Sequence, residues 1–380
     1  MTASVPGPPA AVGVTVGVEE EFHVVDAETL AMRDDPALGR SLTVDRDGVR
    51  VGDEISTTQV ETATAVCETL GELRQQLAAG RAAAAAVTAE LGATVLAAST
   101  HPFSSWQDQR LVPSPRYLEL LERWGLLALQ QDICGCHVHV GVPDLDTAVA
   151  VMDRVRPYLP VIAALTGSSP FHAGSDTGYE SFRTQWFARW PITGATEPFG
   201  DAASYLAVVE SLRVAGVIDD ASHLYWDVRP STRYPTVEYR VGDVCTTLDD
   251  AVLHAALLRS LTRVVAARAG AGQPPATVRP ELLRAARWRA ARFGVTGELF
   301  DVATGRLAPA PDMVRGLLAE LRDDLEACGE WDEVRALTDA VLGRGTSATR
   351  QRALLHRTSD ATQVAAMLVA EGLAGCSEHG

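Results

Sequence analysis

Three consecutive glutamates, Glu19, Glu20 and Glu21, stand inside an otherwise apolar stretch, Thr15–Val25. The stretch reads as a β-strand, in which successive side chains point to opposite faces. Glu19 and Glu21 therefore share one face with Gly17 and His23, whereas Glu20 falls among Val16, Val18, Phe22 and Val24. Two carboxylates on one face of a core strand repel each other and resist burial. A divalent cation makes the arrangement favourable, and hard oxygen ligands suit Mg²⁺. An exposed face at a sheet edge is the alternative that this motif alone leaves open. Glu20, on the apolar face, needs a partner of its own there.

Three further segments repeat the pattern of charged residues on single strand faces. In Asp53-Glu54-Ile55 and Gln59-Val60-Glu61, Gln59 and Glu61 share a face. Glu54 has the opposite parity, so a bulge or turn must intervene if both glutamates face one site. Cys134-Gly135-Cys136-His137-Val138-His139-Val140-Gly141 suggests zinc, since thiolates and imidazoles are zinc ligands. Strand parity opposes that, because His137 and His139 point away from Cys134 and Cys136. Gly135 and Gly141 flank the histidines on their own face and would leave room for a bulky ligand. That suits a phosphate-facing histidine pair, with two structural histidines as the alternative. Tyr225–Ser231 and Thr236–Arg240 read as a hairpin with its turn at Pro230–Pro235. Asp227 shares a face with Arg229, and Glu238 with Arg240. Such a pair of strands forms either a cross-strand salt-bridge ladder or a site with an arginine over a phosphate and a carboxylate on a metal.

The four motifs together describe an electrostatic funnel for a metal–polyphosphate complex. The chain carries a formal net charge of −16 over 380 residues, so local cations or metal ions must offset any triphosphate. The acidity, with no block of positive charge, argues against nucleic acid as a partner. No Walker loop is present, and no Gly-x-Gly-x-x-Gly follows a strand, so a nucleotide would lie on a sheet. No segment is suited to crossing a membrane; the most apolar candidate, around Ala82–Ala98, is broken by Thr88, Glu90 and Gly92. Six cysteines in a chain of this length read as reduced cytoplasmic thiols, and no secretory signal opens it.

Further strands are expected at Thr57–Ala63, Thr94–Ala98, Asp132–Val142, Leu224–Val228 and Thr236–Val241. Helices are expected at Glu68–Leu91, from Ser114-Pro115 to about Gln130, at Asp146–Leu165 and at Leu248–Ala269. From Glu281 onward the chain reads as helical, with Thr346 or Ser347 capping the final stretch. Pro170–Asp201, which contains FRTQWFARWP, reads as a long ordered loop of the kind that often carries function. The expected fold is α+β: a mostly antiparallel sheet backed by helices, with a helical C-terminal portion. Residues 1–13 read as a flexible tail and 14–380 as one catalytic domain, sheet-rich over 14–245 and helix-rich over 246–380.

GVEEEF, QVETAT, STHPF, CHVHVG, YWDVRPS and VEYRVGD, in this order and at these spacings, resemble the type 2 glutamate–cysteine ligases, also called YbdK-like carboxylate–amine ligases. The likeness runs from about Val16 to the end of the chain and is strongest between Val16 and Val252. It implies a glutamine-synthetase-like curved antiparallel sheet that binds ATP and divalent ions, Mg²⁺ or Mn²⁺. By the same resemblance Glu19, Glu21, Glu61, His137 and Glu238 are implied as metal ligands, with Glu54 in support. His137, His139 and Arg240 are implied near the nucleotide phosphates. Arg240 is implied beside the transferred phosphoryl group, and Arg183 and Arg229 as carboxylate or phosphate clamps. His101, in STHPF, has no defined role, and Ser99 stands where the family usually has glycine.

The implied reaction is ATP-driven amide formation through an acyl phosphate, between amino-acid substrates, with L-glutamate and L-cysteine as the favoured pair. A cytoplasmic homodimer is implied. Competing expectations are a guanidino-kinase-type phosphotransferase on a small metabolite, a zinc hydrolase built on Cys134, Cys136, His137 and His139, and a non-catalytic binding protein.

Overall fold

The computed structural model describes residues 12–35, 44–46 and 48–376. The tail expected at residues 1–13 lies, up to residue 11, outside the described residues. The strands in chain order are β1 (Val16–Asp26), β2 (Val44–Arg46), β3 (Val49–Asp53), β4 (Gln59–Ala63), β5 (Ala93–Leu96), β6 (Gly135–Gly141), β7 (Phe171–His172), β8 (Ser175–Asp176), β9 (Thr193–Gly194), β10 (Tyr225–Trp226), β11 (Val228–Pro230), β12 (Thr236–Asp243), β13 (Glu298–Asp301) and β14 (Arg306–Pro309). The helices are α1 (Leu70–Ala89), α2 (Pro115–Trp124), α3 (Leu126–Leu129), α4 (Leu145–Val155), α5 (Leu159–Ala163), α6 (Phe182–Phe187), α7 (Ala202–Val214), α8 (Leu248–Gly270), α9 (Pro280–Phe293), α10 (Ala310–Ala327), α11 (Trp331–Arg344), α12 (Ser347–Thr358) and α13 (Ala361–Gly372).

One antiparallel sheet organises the molecule, in the order β11-β12-β6-β1-β4-β3-β2, with β5 also paired to β1. β1 is long enough to serve three neighbours. Its first half pairs with β6, its middle with β4 and its last residues with β5. The pairing sets Glu19 opposite His137 and Glu21 opposite Glu61, while β12 sets Glu238 opposite His139. The alternate residues Val16, Val18, Cys136, Val138, Val140, Val237 and Tyr239 form the opposite face and join one apolar core with α4, α8 and α10. α8 packs behind β1 and β6 and is buried over most of its length. The sheet is therefore apolar behind and charged in front, as the period-two pattern requires.

Glu20 points into the apolar layer and meets Arg81 from α1. Arg81 Nε and Nη2 donate to the two Glu20 carboxylate oxygens at 3.0 and 2.5 Å, and neither side chain has any exposed surface. The remaining Arg81 donors reach the carbonyls of Cys245, Thr246 and Gly372. This buried pair ties the site-bearing strand to α1, to the β12–α8 junction and to the end of α13.

Several expected elements are corrected. The helix expected over Asp146–Leu165 is two, α4 and α5, because Pro157 lacks the N–H a continuous helix needs. The helix opened by Ser114 breaks at Gly125, whose φ of 55° no ordinary helical residue adopts. The loop expected over Pro170–Asp201 contains a helix, α6, capped by the Ser181 hydroxyl. The helical C-terminal portion is interrupted by the β13–β14 hairpin. α7 and the β2–β3 hairpin were not singled out from sequence. Thr346 caps α12 as expected.

Candidate active site

The charged face of the sheet floors a cavity of about 450 Å³. Glu19, Glu21, Glu61, His137, His139, Arg183, Arg229, Glu238 and Arg240 all line it, so every residue implied at the sequence level converges on one place. Glu54 joins them because β3 ends at Asp53 and the chain turns before β4, which is the turn that parity demanded.

Two acidic groups stand side by side. Ligand atoms of Glu21, Glu54 and Glu61 lie within 4.8 Å of one another, and so do those of Glu19, His139 and Glu238. His137 sits between the groups, Nδ1 3.6 Å from Glu19 and Nε2 3.6 Å from Glu21. Both of its nitrogens are buried and find no hydrogen-bond partner among the described residues. Burial and the nearby Arg240 push the His137 imidazole down to about 4, leaving it neutral with a lone pair to offer.

The two groups differ electrostatically. Burial and the neighbouring Glu54 push the Glu21 carboxyl up to about 8, against the opposing influence of Arg183, Arg240 and the Gly135 N–H, which donates to Glu21 at 2.6 Å. Burial and the surrounding glutamates raise Glu61 well above the usual range, and burial raises Glu54. In the other group burial also opposes ionisation, but the imidazoles of His137 and His139 hold Glu19 well below its ordinary value. Arg240 and Arg229 likewise outweigh burial and hold Glu238 low. Three crowded carboxylates with raised proton affinity and orphaned neutral imidazole nitrogens fit hard divalent cations. Among the described residues, neither candidate group contains a thiol.

A stability test follows. A carboxyl raised in the folded state contributes stability that is fully present below its ordinary value and lost as pH rises through the folded value. With chelator present, the urea midpoint should fall between pH 6.5 and about 8, the part of the Glu21 window above the range in which the buried neutral histidines His23, His101, His137 and His254 give the opposite slope. Added Mg²⁺ should flatten that decline. An identical pH slope with and without the cation would contradict the grouping.

The arginines divide by their partners. Arg229 Nε and Nη2 hold both Glu238 oxygens at 2.9 and 3.1 Å, and its Nη1 donates to the Ala221 and Ser222 carbonyls. The ladder expected between the hairpin strands is thus present as Arg229–Glu238, with Arg240 also bonded to Glu238. Asp227 does not belong to it. β10 pairs with β9 while β11 pairs with β12, so the strand breaks at Asp227, which meets Arg287 at 3.2 Å. Arg183 is buried and has no carboxylate within ion-pair distance among the described residues. Its two long contacts, 3.4 Å each, go to the Arg240 carbonyl, and its Nε has no partner.

Two expectations at this face need revision, and His101, which had no defined role, gains one. A β-carbon on Gly135 would stand 2.5 Å from the Arg183 guanidinium, and one on Gly141 2.2 Å from the Thr15 hydroxyl. The room these glycines leave is taken by the protein's own side chains, not by a ligand. His101 is structural: Nε2 meets the Leu30 carbonyl at 2.8 Å, and Nδ1 accepts the Phe103 and Ser104 N–H groups. The four-residue zinc site does not form, because Cys134 and Cys136 are buried in the apolar clusters behind the sheet. Sequence reasoning passed over Arg50, 3.5 Å from Glu61, and the cavity-lining Arg116, Tyr117, Gln131 and Trp190. Trp190 lay in the singled-out aromatic segment; the others carried no local signal.

The model of glutamate–cysteine ligase family 2 matches residues 15–370. The chain belongs to that family. A Frankia alni relative, provisionally named glutamate–cysteine ligase 2-2, is 43% identical over 373 residues, which is 94% of this chain and 96% of the relative. Among solved structures, a bifunctional glutathione synthetase from Pasteurella multocida superposes with a TM-score of 0.69 at 16% identity, over 96% of this chain and 53% of that longer protein. A glutamate–cysteine ligase from Francisella tularensis, in complex with AMP, superposes with a TM-score of 0.67 at 14% identity, over 96% of this chain and 90% of that one. At these identities the likeness is one of fold, and it bears out the glutamine-synthetase-like α+β architecture. The protein is an enzyme of the ATP-dependent ligase class, a carboxylate–amine ligase. No helix among the described residues is long and apolar enough to cross a membrane.

Proposed function

We propose that this enzyme joins an amino-acid carboxylate to an amine through an acyl phosphate, releasing ADP and phosphate. The observation that carries the proposal is the pair of acidic groups flanking His137, with Arg183 and Arg240 beside them in one cavity. Mg²⁺ or Mn²⁺ held by Glu21, Glu54 and Glu61 and by Glu19, His139 and Glu238 would neutralise phosphate charge and align the transferred group. Arg229 has its donors committed, so its role is to hold Glu238 in place. Arg240 keeps a free Nε, and Arg183 keeps a free Nε and only weak contacts. These two are the groups able to bind anionic substrate and stabilise charge as it develops. L-glutamate as donor and L-cysteine as amine are the pair that the family name supplies. A cytoplasmic homodimer completes the proposal on the resemblance alone.

Hydroxylamine tests the mechanism. Given ATP, Mg²⁺ and the carboxylate substrate without its amine, the enzyme should form a hydroxamate and release equal ADP. A guanidino-kinase activity would release ADP with no hydroxamate, and AMP as the product would reject attack at the γ-phosphate.

A further inference from the structure

Asp243, the last residue of β12, lies outside both acidic groups. Strict alternation from Glu238 would turn it to the apolar face of the sheet. A bulge between Tyr239 and Gly242 inserts one extra residue, so Asp243 pairs with Gly135, in phase with His137 and His139. Gly135 is the position that Arg183 covers, since a β-carbon there would meet the guanidinium at 2.5 Å. The bulge thus returns a carboxylate to the charged face, across the strand pair from the glycine beneath Arg183.

The Asp243 side chain has no exposed surface and accepts three hydrogen bonds. Oδ2 accepts the Ser168 N–H at 3.0 Å and the Ser169 hydroxyl at 2.7 Å, and Oδ1 accepts the Ser181 hydroxyl at 2.7 Å. Every one of these partners is neutral. A buried carboxylate held by neutral groups alone is costly, and an asparagine would satisfy the same three positions. What the charge adds is a counter-ion for Arg183. Burial holds the Arg183 guanidinium below its ordinary value, and Asp243, ahead of Glu21, works against that loss.

The serine hydroxyls add a second link. Ser169 Oγ also accepts the Arg183 N–H at 3.0 Å, and Ser181 Oγ accepts the Thr184 N–H at 3.3 Å, capping α6. One carboxylate thereby holds, through one hydroxyl each, the backbone of Arg183 and the turn that presents it. A direct salt bridge from Asp243 to Arg183 would occupy the donors that an oxyanion needs. The serines and the Ser168 N–H occupy the carboxylate instead.

We propose that Asp243 is a positioning residue: through the Ser169 and Ser181 hydroxyls it fixes the backbone of Arg183, and its charge balances the buried guanidinium without engaging its donors, which stay open to an oxyanion of the substrate. The inference rests on the ligase function proposed above.

A double-mutant cycle tests it, read as hydroxamate and ADP formed from L-glutamate, ATP, Mg²⁺ and hydroxylamine. Asp243→Asn should lower kcat by roughly tenfold to a hundredfold, the scale of a displaced catalytic group, with KM for ATP within about twofold. Arg183→Met should cost about a hundredfold by itself. In that background Asp243→Asn should change kcat by less than about twofold. Equal losses in the two backgrounds would make Asp243 a structural residue only and overturn the inference. So would full activity of Asp243→Asn, or a KM for ATP that moves together with kcat. Ser169→Ala removes the hydroxyl shared by Asp243 and the Arg183 N–H; it should repeat the pattern, and it replaces Asp243→Asn in the cycle if that variant does not fold. Undiminished turnover in Arg183→Met would overturn the inference and leave the ligase function standing, because hydroxamate still forms. No hydroxamate from the unaltered enzyme would remove the ligase function, and the inference with it.

Discussion

Glu20→Ala is expected to destabilise the protein by about 3–5 kcal/mol, because it strands a buried guanidinium without its counter-ion. Both partners of the Glu20–Arg81 pair are fully enclosed, so no solvent can take over for the lost carboxylate. Urea unfolding followed by tryptophan fluorescence measures the loss. Replacing both residues by methionine should recover part of it, since a charge-free pair leaves no uncompensated ion. Recovery should be incomplete, because the carbonyls of Cys245, Thr246 and Gly372 would then lose their donor. A change under about 1 kcal/mol for Glu20→Ala would show that water reaches Arg81.

The neighbours on the other face should behave in the opposite way. Glu19→Gln and Glu21→Gln are each expected to cut turnover by about a hundredfold or more, the scale associated with losing a catalytic metal contact. Glu21→Gln should at the same time stabilise the cation-free protein, because it removes one of three mutually repelling carboxylates. Gain of stability with loss of activity is the mark of a site held under electrostatic strain for function. Turnover within about tenfold of the unaltered enzyme at both positions would remove these residues from the chemistry.

These contrasts were legible in the sequence because a strand has a period of two. That single rule separated Glu20 from Glu19 and Glu21, turned Cys136 away from His137 and His139, and demanded a turn between Glu54 and Glu61. It also stated that Glu20 needs a partner, though not which one. Arg81 lies 61 residues away in an alanine-rich helix, and only packing brings it to the strand. Long-range proximity defeated the local pattern elsewhere as well. Gly135 reads locally as space for a ligand, and Arg183, from α6, fills it. Arg229 reads locally as a clamp, and its donors are engaged by Glu238 and by two carbonyls. Proline and glycine within helical patterns, at Pro157 and Gly125, were signals present in the sequence and outweighed by apolar periodicity in the expected helices.

Arg81 also sets an order of events during synthesis. Its bond to the Gly372 carbonyl spans 291 residues, and its bonds to Glu20 reach back almost to the start of the described chain. A ribosome delivers the N-terminal part first, so the strand that carries Glu19 and Glu21 emerges long before its last tether exists. Until α13 has been translated, the nascent protein holds an arginine whose full set of acceptors is still unmade. A premature stop within α13 would spare every residue of the cavity and still leave that arginine short of an acceptor. Messages truncated there should yield protein that is recognised by chaperones and degraded, with its catalytic groups encoded in full.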